Sequence, residues 1–340
     1  MNRKKIFKKT AGAVLGVSLL LGGAVSVLAA ESTEYPLTVM TYDQNGNQVE
    51  TTYEKAPERV LAVYQGCVET MLALGLEDHL VATAGLDNAV PDDQAEAFEQ
   101  TNYLDEFTPS LETVTMLEPD MIFSWGSILA DDRLGDVASW TEKGCNVYIN
   151  SNTRPSTGDE SHSRTLENEI TDLRNIGMIF DAQQEAEAII ADIQSVIDQT
   201  TEATSSLTER PSVLILEPLG DEISNYGAAS LGGDMVTQLG AQLANPDASQ
   251  VGKEDIIAAN PDVIFVVYMP YSGDDPETVM TDQLNVILED EALQSLDAVT
   301  NGRVYPIMLS EMYASATRTQ DGMVTFAQGL YPDLELKLED

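Results

Sequence analysis

At about 150 residues per domain, a chain of 340 residues suggests two domains, and 43% hydrophobic against 22% charged residues supplies two buried cores and excludes a disordered or fibrous chain. Lys and Arg number 17 against 57 Asp and Glu, and the formal net charge of −40 repels nucleic acid and anionic membranes instead of releasing their counterions. Two cysteines, Cys67 and Cys145, and two histidines, His79 and His162, exclude a disulfide scaffold, a zinc ribbon and a His-rich metal cage.

The first thirty residues differ from the rest. Arg3, Lys4, Lys5, Lys8 and Lys9 precede an apolar run from Ala11 to Leu21, and Val27-Leu28-Ala29 offers small residues for cleavage. This is the pattern of an export signal over residues 1–29. Ala11 to Ala30 is just long enough for a retained anchor, but Gly12, Gly16, Gly22 and Gly23 favour cleavage. The expected location is periplasmic, cell-surface or secreted, and no lipid-anchoring cysteine follows the apolar run.

Next, Leu37 to Thr41 and Val49 to Tyr53 flank Asp43-Gln-Asn-Gly-Asn47, and Asn-Gly between alternating runs predicts a β-hairpin. Short apolar runs follow at Arg59 to Val63, Leu80 to Ala84, Met121 to Ser124 and Val147 to Asn150. Others come at Ser212 to Glu217, Val263 to Tyr268 and Arg303 to Ile307, with helix-like stretches such as Asp234 to Leu239 and Thr281 to Leu288 between. Strand–helix–strand order predicts an α/β protein with parallel sheets under helices.

An internal repeat divides the chain. Glu112-Thr-Val-Thr-Met-Leu-Glu-Pro-Asp120 realigns on Glu254-Asp-Ile-Ile-Ala-Ala-Asn-Pro-Asp262. Each unit reads as a first-turn glutamate, a short helix stopped by Pro-Asp, and a buried strand. Two copies at so long a period mean two similar lobes. Between them Ala186, Ile189, Ile190, Ile193, Val196 and Ile197 recur at helical spacing, and Asp181-Ala-Gln-Gln184 resembles a capping box. A helix from Ala182 to about Ser205 forms a rod between the lobes. The expected divisions are a signal at 1–29, a first lobe at 35–165, a connecting helical segment at 166–206 and a second lobe at 207–335.

Ala56-Pro-Glu-Arg-Val60, Glu69 to Gly75, the doubled Glu…Pro-Asp unit, the helical connector, Gly302-Arg-Val-Tyr305 and Tyr331-Pro332 together resemble the ABC-importer substrate-binding proteins for ferric siderophores and cobalamin. These are the periplasmic binding proteins of the helical-backbone class, and the resemblance covers about residues 36 to 335. It implies two Rossmann-like lobes with mostly parallel sheets, joined by a single long α-helix, with the ligand cleft between them. It implies a non-enzymatic, monomeric receptor without a cofactor, which hands an iron chelate (siderophore or haem) or a corrinoid to an ABC permease dimer with its ATPase. By motif, Glu112 and Glu254 match the family's glutamates that pair with permease arginines. A first-turn glutamate also complements the helix dipole, which alone accounts for either one.

Open parallel sheets leave their crevice at the carboxyl ends of strands, which selects the ligand-contact candidates. In the first lobe these are Tyr64, Gln65, Trp125 and Arg154; in the second, Tyr226, Tyr268, Tyr271, Met312, Tyr313 and Arg318. Aromatic rings suit bulky or flat ligands. Arg133 and Arg164 are further loop-placed cations. Basic residues are scarce, which tilts the expectation toward a neutral or cationic chelate or a corrinoid. A direct transition-metal receptor and a secreted hydrolase are the alternatives, and two histidines in the whole chain disfavour both. His162, in a polar loop, is expected to be solvated, and Cys67 and Cys145 to be buried free thiols.

Overall fold

The computed structural model describes residues 32–130, 132–157 and 162–337; the expected export segment lies outside them. The chain starts with the hairpin β1 (Leu37–Tyr42) and β2 (Gln48–Tyr53). Its turn is held by Asp43, whose carboxylate accepts from the backbone N–H groups of Asn45 and Asn47 at 2.8 and 2.9 Å. Gly46 is required there, because its φ is +78° and a Cβ would meet the Pro155 carbonyl oxygen at 2.1 Å.

Two sheets follow. The first contains β3 (Val60–Val63), β4 (Leu80–Ala84), β5 (Met121–Ser124) and β6 (Asn146–Ile149) in the order β4-β3-β5-β6, all parallel. β3 and β5 are buried along their whole length, which is why they read as unbroken apolar runs. The second contains β7 (Ser212–Leu219), β8 (Glu222–Asn225), β9 (Gln242–Leu243), β10 (Val263–Tyr268) and β11 (Val304–Met308) in the order β11-β10-β7-β8, with β9 beside β7. Only β8 runs antiparallel, as a hairpin on β7. In each sheet the first strand lies inside and the order reverses beside it, so the crevice opens at the carboxyl ends of β3 and β7.

Helices α1 (Gln65–Ala73), α2 (Ala95–Phe98), α3 (Leu111–Leu117) and α4 (Val137–Glu142) belong to the first half. α5 (Leu166–Phe180) and α6 (Gln183–Thr204) follow, then α7 (Leu231–Gln238), α8 (Lys253–Ala259), α9 (Pro276–Leu288), α10 (Asp297–Thr300) and α11 (Thr319–Leu330). α6 is the predicted rod. Its Ala186 lies in the core of the first half, Ile190, Ile193 and Val196 lie in the core of the second, and Ile189 packs against both. The capping box is not formed. Asp181 adopts a left-handed conformation (φ 58°) that closes α5, and its carboxylate accepts from the Thr33 N–H at 2.6 Å, so α6 starts with no side-chain cap.

The sequence repeat is a structural one. Glu112 and Glu254 sit exposed in the first turns of α3 and α8, and each helix ends on a left-handed residue, Glu118 (φ 47°) or Asn260 (φ 38°), before its Pro-Asp. The aspartates pin the neighbouring strand: Asp120 accepts from the N–H groups of Glu58 and Arg59, both at 2.9 Å, and Asp262 from the N–H of Ser212 at 2.8 Å. Asn tolerates the left-handed region and Glu does not. Glu118→Gly is expected to stabilise the fold by about 0.5–1 kcal/mol, read as a higher urea midpoint, because the exposed side chain contributes strain there. Cys67 and Cys145 are free and buried.

Candidate functional site

Loops leaving β3, β4 and β5 meet loops leaving β10 and β11, and two of the cavities at the seam are walled by aromatic rings. The smaller, about 260 Å³, is lined by Gln65, Glu69, Asp87 and Trp125 from the first half and by Met269, Ser310 and Tyr313 from the second. The larger, about 490 Å³, is lined by Leu86, Asn88, Phe98 and Tyr103 on one side and by Tyr271, Asp274, Met308 and Arg318 on the other. Both volumes fit the range of small-molecule sites.

The halves also touch directly. The Arg318 guanidinium grips Glu69 with two bonds, Nε to Oε2 at 2.8 Å and Nη2 to Oε1 at 2.5 Å, and also donates to the Ala89 carbonyl at 2.8 Å. The Ser272 N–H donates to the Asp87 carbonyl at 2.9 Å. The Trp125 and Tyr313 rings meet across the seam with centroids 5.9 Å apart. Glu69 is fully buried, and Gln65, one helical turn before it on α1, donates a further bond to the same carboxylate.

Of the residues chosen from sequence, Gln65, Trp125, Tyr271, Tyr313 and Arg318 line the two cavities. Tyr64 lies one layer behind. It is 6% exposed, its ring packs on Trp125 (5.1 Å) and Phe107 (5.8 Å), and its hydroxyl takes a hydrogen bond from Arg133. Arg164 stacks 3.7 Å over Tyr313 and donates to its hydroxyl. Tyr226, Tyr268 and Arg154 line neither cavity. Tyr226 packs on the core of the second half and donates to Glu217 at 2.6 Å, and Arg154 lies 4.8 Å over the Tyr42 ring of the hairpin.

Met312 is a correction: it is fully buried in the core of the second half, in the hollow left by Gly232, where a Cβ would meet its Sδ at 2.9 Å. Its place after the last strand suggested the cleft, but the short turn at Leu309–Glu311 points its side chain inward. His162 is a second correction. It is half-buried, its Nε2 lies 3.4 Å from the Asn152 carbonyl, and burial, helped by the charge of Arg154, pushes its pKa down.

Beneath the site α5 carries two buried carboxylates. Glu169 accepts from the Asn152 amide and, at 2.6 Å, from the backbone N–H of Ala316 in the second half. Asp172 accepts from the Ser151 N–H and hydroxyl and from the Tyr148 hydroxyl. Burial, then the Asp172 charge, pushes the Glu169 pKa up to about 7; burial pushes Asp172 up to about 6. Glu311, near Arg318, is pushed up to about 7 by burial and then by Asp321.

A carboxyl group with a raised pKa in the fold keeps protons that the unfolded chain releases. Its stabilising contribution is full below the unfolded value of about 4.3 and is lost as pH rises through about 7. The thermal midpoint is therefore expected to be higher at about pH 5.5 than at about pH 8. Relief of net negative charge acts in the same direction, so Glu169→Gln is the check: it should flatten part of the slope.

A family model described as a periplasmic binding protein matches residues 60–308. The uncharacterized ABC transporter substrate-binding lipoprotein YvrC of Bacillus subtilis (strain 168) is 22% identical over 313 residues, covering 90% of this chain and 89% of that protein. The crystal structure of a periplasmic binding protein from Veillonella parvula DSM 2008 superposes with a TM-score of 0.81 at 29% identity, over 90% of this chain and 96% of the other. That of an ABC-type Fe3+-hydroxamate transport system from Saccharomonospora viridis DSM 43017 gives 0.66 at 20% identity, over 88% and 100%. No described helix is long and apolar enough to cross a membrane. A match over most of its length, on a fold with two mostly parallel sheets and a long helix between them, makes the chain a member of the periplasmic binding protein family, with the solute-binding role of its ABC transporter relatives.

Proposed function

We propose that the protein captures an iron chelate, siderophore or haem, or a corrinoid, at the seam between its halves and delivers it to the permease dimer of an ABC importer. The observation that carries the reading is the pair of seam cavities walled by both halves and by the rings of Trp125, Tyr313, Phe98, Tyr103 and Tyr271. Such walls offer large apolar area with few rotamers to freeze. A ligand that bridges the halves rewards their apposition, and an importer that separates them releases it. Support also comes from the Saccharomonospora neighbour, whose transport system carries Fe3+-hydroxamate. Glu112 and Glu254, equivalent and exposed on the two halves, are the proposed contacts to the permease subunits.

The test is intrinsic fluorescence. Of the two tryptophans, Trp140 is buried in the first core and Trp125 lines the cavity. Titration with ferric hydroxamates, ferric catecholates, haem and cobalamin should give saturable quenching with at least one of them, and Trp125→Phe should remove most of the response. No saturable binding by any of the four classes would overturn the reading.

A further inference from the structure

The two aromatic-walled cavities share a partition. Along it, neighbouring residues face opposite ways: Asp87 lines the smaller cavity and Asn88 the larger, Met269 the smaller and Pro270 the larger, Leu309 the smaller and Met308 the larger. The two ends of the seam are not joined equally. At one end residues 314–318 of the second half are embedded in the first. The Ala316 N–H donates to buried Glu169 at 2.6 Å, Arg318 grips Glu69, and a Cβ on Gly66 would meet the Ala314 carbonyl oxygen at 2.6 Å. Charge-assisted bonds shielded from water make this end a fixed clasp. Arg318 also donates to the Asn88 side chain and the Ala89 carbonyl, so the first half's side of the partition stays with the clasp.

The other end is held lightly. The turn Tyr271–Asp274, between β10 and α9, walls the larger cavity from the second half and is exposed along its length. It is braced within itself: the Asp274 N–H donates to the Tyr271 carbonyl at 2.9 Å, and the Asp274 carboxylate accepts from the Tyr271 N–H at 3.0 Å. Gly273, at φ 99°, supplies the positive φ that so tight a turn requires. Among the described residues, the turn's hydrogen bonds to the first half come from Ser272 alone. Its N–H donates to the Asp87 carbonyl at 2.9 Å, and its hydroxyl lies 3.5 Å from the same oxygen. Beside it the Asn88 amide nitrogen meets the Met269 and Met308 sulfurs at 4.0 and 3.8 Å, and thioethers are weak acceptors. Neutral bonds at an exposed position contribute little net free energy, because water replaces them when they break.

Resting on the cargo reading above, we infer that the turn Tyr271–Asp274 is a gate: it swings as a braced unit, releases the Asp87 carbonyl and opens the smaller cavity into the larger, while residues 314–318 keep the halves together. Pro270 is buried and Pro276 starts α9, so both roots of the turn are fixed and the residues between them move as one. The cavities of about 260 and 490 Å³, once joined, approach the upper part of the range of small-molecule sites. Cargo too large for either chamber is then admitted without parting the halves.

The test is acrylamide quenching of tryptophan fluorescence in the purified protein without cargo. Trp140 is buried in the first core, so a change reports Trp125 on the smaller cavity. Ser272→Pro removes the latching N–H, and proline suits the position before a positive-φ glycine, so the turn itself stays formed. Ser272→Ala keeps the N–H. The proline variant should raise the quenching constant at least about twofold, and the alanine variant should leave it unchanged. A constant unmoved by Ser272→Pro, or raised as much by Ser272→Ala, overturns the gate. If Ser272→Pro does not fold, hydrogen exchange of the unsubstituted protein decides. Peptides over 270–275 should then exchange at least about tenfold faster than those over 314–318, and equal protection of the two segments overturns the gate. Neither measurement uses cargo, so its failure leaves the cargo reading standing, which falls only to the titration described above.

Discussion

Arg318→Met is expected to destabilise the protein by about 3–5 kcal/mol, read as a fall in the urea midpoint. The variant leaves Glu69 with no cation. That carboxylate is fully buried on α1, and the Arg318 side chain is only 10% exposed, so solvent does little to screen the pair. The Gln65 amide still donates to Glu69, but one neutral bond does not replace a guanidinium. The size of the loss reflects a stranded charge and not the worth of the pair, so the second substitution discriminates. Glu69→Gln in the Arg318→Met background should recover most of the loss, because a neutral amide tolerates burial where an unpaired carboxylate does not. A double variant no more stable than Arg318→Met would show that packing, not charge, is what Arg318 supplies. The same pair closes the seam, since α1 belongs to the first half and Arg318 lies beyond the last strand of the second. The single variant should therefore also weaken cargo binding, by loosening the apposition of the walls.

The strands were legible in the sequence because parallel strands buried on both faces leave uninterrupted apolar runs: Leu80–Ala84, Met121–Ser124 and Val263–Tyr268 occupy the residues expected. The repeated Pro-Asp was legible because proline stops a helix and aspartate pins the next backbone, both local effects. What was hidden is nonlocal. Nothing near Glu69 announces a partner 249 residues away, and an isolated buried carboxylate looks like any of 57 acidic residues until the fold brings Arg318 to it. Asp87 and Asn88 follow β4 by the same carboxyl-edge rule that selected Tyr64 and Trp125, but their loop has no aromatic ring to draw notice. Met312 shows the rule's opposite failure: position after a strand fixes where a backbone lies, while the hollow at Gly232 decided where the side chain went. Asp181 fitted a capping pattern and was taken by the end of the preceding helix, since α5 and α6 are separated by only two residues.

Glu112→Ala combined with Glu254→Ala is expected to reduce transport at least about tenfold while changing the cargo Kd by less than about twofold. Both carboxylates are exposed, neither lines a seam cavity, and neither makes an ion pair among the described residues, so their removal leaves the walls of the site intact. Their equivalence in the repeat matters. Each sits at the second residue of a seven-residue helix, and each helix ends in the same left-handed turn and strand anchor, so two related surfaces present like groups to two related subunits. Rim charges of this kind govern orientation and encounter rate more than affinity, so either single change should retain part of the rate and the pair should lose nearly all of it. Uptake by cells carrying each variant, together with the Kd of the purified proteins, separates the possibilities. Loss of cargo affinity in the double variant, or full uptake by it, would reject the docking role and return both residues to the bland task of complementing a helix dipole.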